Sequence, residues 1–212
     1  NEQRAALMER LCQLAGMSRV FFCNSGAEAV EAALKFARAG TRRTGIVAAM
    51  RGFHGRTFGA LSATWNKAYR EPFEPLVPGY SHVPFNNLDA MRKAITDQTA
   101  AVMLEVVQGE GGVYPAAADY ARGVQQICRE RGALLILDEV QTGLGRTGRL
   151  FAFQHYDLRP DLLCLAKSIA GGLPMGATLM GERLGQLPPH IHGSTFGGNP
   201  LACAASLAAL AE

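Results

Sequence analysis

Cysteine pairs, basic runs and long apolar runs are all missing from this sequence. Its five cysteines (Cys12, Cys23, Cys128, Cys164 and Cys203) are odd in number, widely spaced and never in a Cys-x-x-Cys pair. That excludes a disulfide framework as the reading and predicts reduced, buried thiols in a cytoplasmic protein. No Lys/Arg run is longer than Arg42-Arg43, and the net charge is only +3, so there is no electrostatic footprint for nucleic acid. No apolar stretch approaches the length of a membrane span, and no secretory leader is read at the start. His190 and His192 alternate as a pair of strand-borne metal ligands would, but no third ligand stands nearby, so no metal is expected.

What is present is an ordinary globular composition. Hydrophobic residues make up 48% of the 212 and charged residues 18%, enough to bury the core of one good-sized domain. The 24 glycines cluster just after apolar runs, which predicts tight loops around a ligand rather than flexible linkers. The first residue is Asn1 and the last, Leu201 to Glu212, read as a helix barely begun, so the chain is expected to be cut from something longer.

Apolar runs and helical periodicities alternate along the chain. Leu7, Leu11 and Leu14 predict a helix stopped by Gly16. Arg19–Cys23 predicts a strand, and Ala27–Ala39 a helix closed by Gly40. Further strands are predicted at 45–50, 100–106, 133–137, 161–165 and 175–180, and helices at 87–95 and 119–131. Pro72, Pro75, Pro78 and Pro84 predict an irregular stretch between 72 and 84. Several strands are apolar throughout rather than on one face, the mark of a mostly parallel sheet covered by helices on both sides. The expected fold class is α/β in three layers, α/β/α.

In such sheets ligands bind beyond the carboxyl ends of the strands. The polar groups there are Asn24-Ser25-Gly26, His54 and Arg56, Glu105 and Glu110, Asp138-Glu139, and Lys167-Ser168. Ser25-Gly26-Ala27 opens a helix, whose free N–H groups suit a phosphate; a plain Ser N-cap explains the same residues. No GxGxxG and no GxxxxGK[ST] motif is read, so neither a dinucleotide fold nor a P-loop is expected. Asp138 needs a cation if it is desolvated, either a metal, an Arg or a protonated ring nitrogen, and a helix-cap carboxylate is the plainer account. Gln141 can donate to or accept from a ring hydroxyl. Lys167 is either a solvated strand terminator or, if desolvated, an amine nucleophile. Phe53 offers a face for stacking and Arg56 a fork for a carboxylate. His192-Gly193-Ser194-Thr195 puts two hydroxyls in a loop of the kind that contacts phosphate and that is equally common as a turn. A phosphate cradle, a stacking aromatic, a strand-end Asp and a strand-end Lys together are the parts required by pyridoxal 5'-phosphate (PLP).

Five runs carry a resemblance to a known family: Asn24–Ala29, Gly52–Thr57, Gln108–Gly112, Leu137–Gly143 and His192–Pro200. In these, and in their order, the sequence resembles the class III aminotransferases. The resemblance implies the large domain of fold-type I PLP-dependent transferases over residues 1–212, with the family's N-terminal segment and C-terminal small domain absent. It implies that Gly26 and Ala27 bind the phosphate, with Ser25 close by, that Phe53 stacks on the ring, and that Glu139 and Val140 contact the cofactor. Asp138 is implied to pair with the ring nitrogen, Gln141 with the ring hydroxyl, and Lys167 to carry the cofactor. Thr195 is implied to reach the phosphate of the neighbouring subunit in a homodimer. Arg56, Ser194 and Glu110 are implied to lie at the substrate. The implied activity moves the terminal amino group of N-acetylornithine to 2-oxoglutarate, a step of arginine biosynthesis. Ornithine, 4-aminobutyrate and carrier-linked lysine-pathway donors are the alternatives, as is an inactive cofactor-binding fragment. Val106 stands where the family usually carries proline.

Overall fold

Hydrophobic strands flanked by capped helices dominate the computed structural model, which describes residues 1–211. In chain order the elements are α1 (Glu2–Ala15), β1 (Arg19–Cys23), α2 (Gly26–Thr41), β2 (Gly45–Ala49), α3 (Phe58–Ala63), α4 (Lys67–Arg70), β3 (Tyr80–Val83) and α5 (Leu88–Ala94). They continue with β4 (Thr99–Leu104), β5 (Val107–Gln108), β6 (Tyr114–Pro115), α6 (Ala118–Arg131), β7 (Leu134–Asp138), β8 (Leu162–Leu165), β9 (Gly176–Met180) and α7 (Pro200–Ala209). Among the described residues no helix is long and apolar enough to cross a membrane.

Seven strands form one sheet in the order β1-β9-β8-β7-β4-β2-β3. β8, β7, β4, β2 and β3 run parallel, and β9 is antiparallel to both of its neighbours, β1 and β8. Every residue of β4, β7, β8 and β9 is buried. This follows from helices on both faces, with alternate side chains of each strand entering opposite layers. Val102, Leu104, Leu135, Leu137, Leu163 and Leu165 pack into one core with residues of α1, α5, α6 and α7. Ala101, Met103, Leu134, Ile136, Leu162 and Cys164 pack into the other, largely against α2.

The helix ends follow local chemistry. Asn1, Ser25, Asn87 and Asn199 accept backbone N–H groups at the starts of α1, α2, α5 and α7. Gly16 and Gly132 close α1 and α6 in the left-handed region.

Three expectations need correction. Gly40 does not close α2, which runs on to Thr41 and ends at Arg42 in the left-handed region. Gly40 is required for packing instead, since a Cβ there would lie 2.8 Å from Leu184 Cδ1. The proline-rich stretch is not all irregular, because β3 lies inside it as the edge strand beside β2. Only Val83 of β3 is buried, so the strand has no apolar pattern to read. Finally, the sequence does carry one GxGxxG run, Gly143-Leu144-Gly145-Arg146-Thr147-Gly148, but it forms turns and opens no helix, so it is no phosphate cradle.

Candidate active site

Five chain segments converge at the carboxyl end of the sheet around a cavity of about 480 Å³, within the ordinary range for small-molecule sites. The segments are the turn into α2, the loop after β2, the segment after β4, the end of β7 and the end of β8. They place Ser25, Gly26, Ala27, Phe53, Arg56, Glu110, Asp138, Val140, Gln141 and Lys167 on its wall, ten of the thirteen residues to which the resemblance gives a role.

At the turn into α2, Ser25 Oγ accepts from the Glu28 N–H at 3.2 Å, so its hydroxyl is an N-cap. Gly26 and Ala27 are the first residues of the helix, and helices leave such N–H groups without an internal partner. Gly26 also meets Val140: a Cβ there would lie 2.7 Å from Val140 Cγ1. Val140 thus fills the space that a side chain at position 26 would need, while the first N–H groups of the helix suit an anion.

Asp138 ends β7 and is buried. Its Oδ1 accepts from the Val140 N–H at 3.0 Å, and its Oδ2 from His54 Nδ1 at 2.8 Å. The histidine is buried too, and its Nε2 has no hydrogen-bond partner among the described residues. Burial opposes charge on His54, but the hydrogen bond and charge of Asp138, with the charge of Glu105, prevail and raise its pKa above the ordinary 6.5. Glu105, also buried, is pushed up to about 7, mainly by desolvation.

Lys167 follows β8 and opens a short 3-10 turn, Lys167–Ala170. Its backbone is in the left-handed region with φ 49°, uncommon for a residue with a side chain. Such strain persists where the surroundings hold it, and here it accompanies a side chain on the cavity wall. Opposite, the Arg56 guanidinium lies 3.8 Å from the centre of the Tyr69 ring and 5.5 Å from that of Phe53, a stacked cation beside the cavity. The Tyr69 hydroxyl lies 3.5 Å from Glu110 Oε1.

Glu139 does not take the place expected of it. Its buried carboxylate turns away and accepts the N–H groups of Ala152 at 2.8 Å and Phe153 at 2.7 Å, an anchor for the chain between β7 and β8. Glu139 thus lies off the cavity that Asp138, Val140 and Gln141 line. Ser194 and Thr195 lie apart from Lys167, on a second hollow with Phe21, Asn24 and His192. There Ser194 Oγ accepts from Asn24 Nδ2 at 3.1 Å. His54 and Glu105 were visible as polar residues at strand ends, but no spacing rule linked either to Asp138, more than thirty positions away.

A phosphate-compatible helix start, a buried carboxylate backed by an imidazole and a wall lysine are thus gathered at one sheet end. The whole chain, residues 1–212, matches the family described as Aminotransferase class-III. The chain belongs to this family. It is 54% identical to the acetylornithine aminotransferase of Methanopyrus kandleri, over 99% of this chain and 55% of that protein. It is 52% identical to a [LysW]-aminoadipate semialdehyde transaminase of Deinococcus radiodurans, over 99% of this chain and 50% of that protein. Among solved structures, the ornithine aminotransferase of Toxoplasma gondii with PLP at partial occupancy in its active site superposes with a TM-score of 0.94. That match covers all of this chain and 52% of the Toxoplasma chain at 37% identity. This class-III chain spans about half the length of the curated relatives it matches.

The residues present fit PLP. The first N–H groups of α2, at Gly26 and Ala27 on the cavity wall, can receive its phosphate, and the apolar faces of Phe53 and Val140 can receive its ring. Asp138 keeps a lone pair on each oxygen beyond its two hydrogen bonds, enough to accept from a protonated ring nitrogen.

Proposed function

We propose that residues 1–212 are the PLP-binding large domain of an aminotransferase that moves the terminal amino group of N-acetylornithine to 2-oxoglutarate. The observation that carries the reading is the shared cavity of Lys167 and the buried Asp138–His54 pair. When bound, PLP supplies a conjugated ring that takes up the electrons released at the amine-bearing carbon. Lys167 Nζ would carry the cofactor and, when free, would take or return a proton at the donor's amine-bearing carbon. Asp138 holds a proton on the ring nitrogen, and His54 fixes Asp138 from behind. Gly26 and Ala27 donate backbone N–H groups to the phosphate, and Gln141 meets the ring hydroxyl. Arg56 receives a substrate carboxylate, and Glu110 stands at the same end.

The site is read as one half of a homodimer. The Ser194–Phe196 loop lies away from this chain's own Lys167 and carries a Phe196 that is 71% exposed. That placement supports a role for Thr195, and for Ser194 beside it, at the site of a second copy.

The choice of donor rests on the 54% identity to an acetylornithine enzyme. The 52% identity to a carrier-linked semialdehyde transaminase favours a second reading, in which the donor's far end is a carrier protein. Absorbance of the PLP-loaded chain, before and after each donor, tests both. A long-wavelength band that is absent in Lys167→Ala and bleaches with N-acetylornithine supports the first reading. Bleaching by the carrier-linked donor alone supports the second, and failure to form the band at all overturns the cofactor assignment.

A further inference from the structure

The carboxylate of Glu105 sits one residue beyond β4, is only 6% exposed, and faces the cavity without having been given a role in the chemistry above. Its two oxygens serve two different loops. Oε1 accepts from the Phe53 N–H at 2.9 Å, and Oε2 from the Gly109 N–H at 3.3 Å. The first loop carries Phe53 and Arg56, the second carries Glu110, and all three residues line the cavity. Gln108 Nε2 also donates to the Met50 carbonyl across them at 2.9 Å, and the approach is close: a Cβ at Gly111 would lie 2.6 Å from the Arg51 carbonyl oxygen.

We propose that Glu105 is a positioning residue, a two-ended clamp that fixes the stacking wall at Phe53 and the spacing between Arg56 and Glu110. The proposal extends the function read above, since the walls it sets are those assigned to cofactor and substrate.

The geometry explains why a buried acid is kept here. A carboxylate offers acceptors at both ends, which two converging N–H donors require. Glutamine keeps the length but must turn its NH₂ toward one of the two donors, leaving a buried N–H unpaired. Aspartate keeps the charge but is one methylene too short to span both loops. The clamp therefore depends on charge and reach together.

Two measurements test it in the 212-residue chain. The first needs no cofactor: amide hydrogen exchange of Phe53 and Gly109, resolved by NMR. In Glu105→Gln at least one of these two amides exchanges about tenfold faster, and in Glu105→Asp likewise, while the β7 and β8 amides keep their protection. The second is the PLP dissociation constant, read from quenching of the single tryptophan, Trp65, whose backbone N–H donates to the Gly52 carbonyl at the base of the first loop. It rises about tenfold in both Glu105 variants. Asp161→Asn serves as the control. It alters another buried carboxylate, which accepts from the Leu135 N–H at the opposite end of the sheet. It lowers the melting temperature but shifts PLP affinity less than twofold.

Unchanged exchange at both Phe53 and Gly109 in Glu105→Gln overturns the clamp. So does a loss of PLP affinity that Asp161→Asn matches at equal loss of stability. A parent chain that binds no PLP defeats the functional reading above, and the exchange measurement still decides the clamp.

Discussion

His54 Nδ1 and Asp138 Oδ2 are 2.8 Å apart, and neither side chain is more than 5% exposed. The two residues come from the loop after β2 and the end of β7, and β4 separates those strands in the sheet. Asp138 faces the cavity, while His54 backs it with one ring nitrogen committed and the other without a partner among the described residues.

His54→Leu is expected to destabilise the chain by about 1–3 kcal/mol, because Asp138 loses a buried hydrogen bond. The loss carries a pH signature. The pKa of His54 is raised in the folded protein, so the folded state binds its proton more tightly than the unfolded state. That contribution is complete below the ordinary value of 6.5 and disappears as pH rises through the higher folded value. Urea unfolding should show a larger gap between parent and variant at pH 6 than at pH 9. A gap that grows with pH would contradict the pairing.

Glu139 has a buried carboxylate whose pKa is pushed up to about 7, chiefly by desolvation and against the two N–H groups it accepts. A raised carboxyl pKa means that stability falls as pH climbs from 4.5 toward 7. Glu139→Gln removes that dependence and also leaves one of Ala152 N–H or Phe153 N–H badly matched. The variant should be less stable by about 1–3 kcal/mol at pH 5, with a smaller deficit at pH 8. PLP affinity should stay within twofold of the parent, as the side chain faces away from the cavity.

Gly26→Ala drives a methyl toward Val140, at 2.7 Å from Cγ1 and 3.1 Å from Cγ2. Overpacking of this kind costs about 1–3 kcal/mol, and here it moves the wall assigned to the cofactor. PLP affinity should fall about tenfold, and Val140→Ala in the same chain should restore much of it. A double-mutant cycle on the dissociation constant checks the coupling.

Lys167 pays a conformational cost for its place, and this separates stability from activity. With φ 49°, glycine relieves strain that alanine keeps. Lys167→Gly should unfold at a higher temperature than Lys167→Ala, by a difference of about 1 kcal/mol, and neither should turn over substrate. Thermal melts of the two variants decide the first point and a donor assay the second.

Most of this architecture was legible because its signals are local. Leu134–Leu137 and Leu162–Leu165 are too apolar for any place but a doubly covered sheet, and the residues that end or follow them, Asp138 and Lys167, mark its ligand-binding edge. What escaped depended on contacts distant in sequence. β3 is an edge strand with a single buried residue. Gly40 answers to Leu184, far along the chain, and not to the helix end it resembles. Glu139 sits beside Asp138 in sequence, but its carboxylate is committed to the Ala152 and Phe153 N–H groups, more than ten positions on. His54 acquires its partner only when β2 and β7 are brought into the same sheet.

The antiparallel strand β9 acts as a gauge. β1 and β8 leave the sheet side by side with β9 between them, and the register sets Cys23 opposite Gly176 and Leu165 opposite Ala177. The helix-start turn at Ser25 and the strained Lys167 therefore depart from strands two spacings apart, roughly 10 Å at about 4.8 Å each. Gly176 keeps that gauge tight, since a Cβ there would lie 2.8 Å from Cys23 Sγ. The span offered to a ligand's anionic end and its lysine-reactive end is thus written in backbone hydrogen bonds. The backbone separation is fixed there, and the rotamer of Lys167 then sets where along it the amine stands.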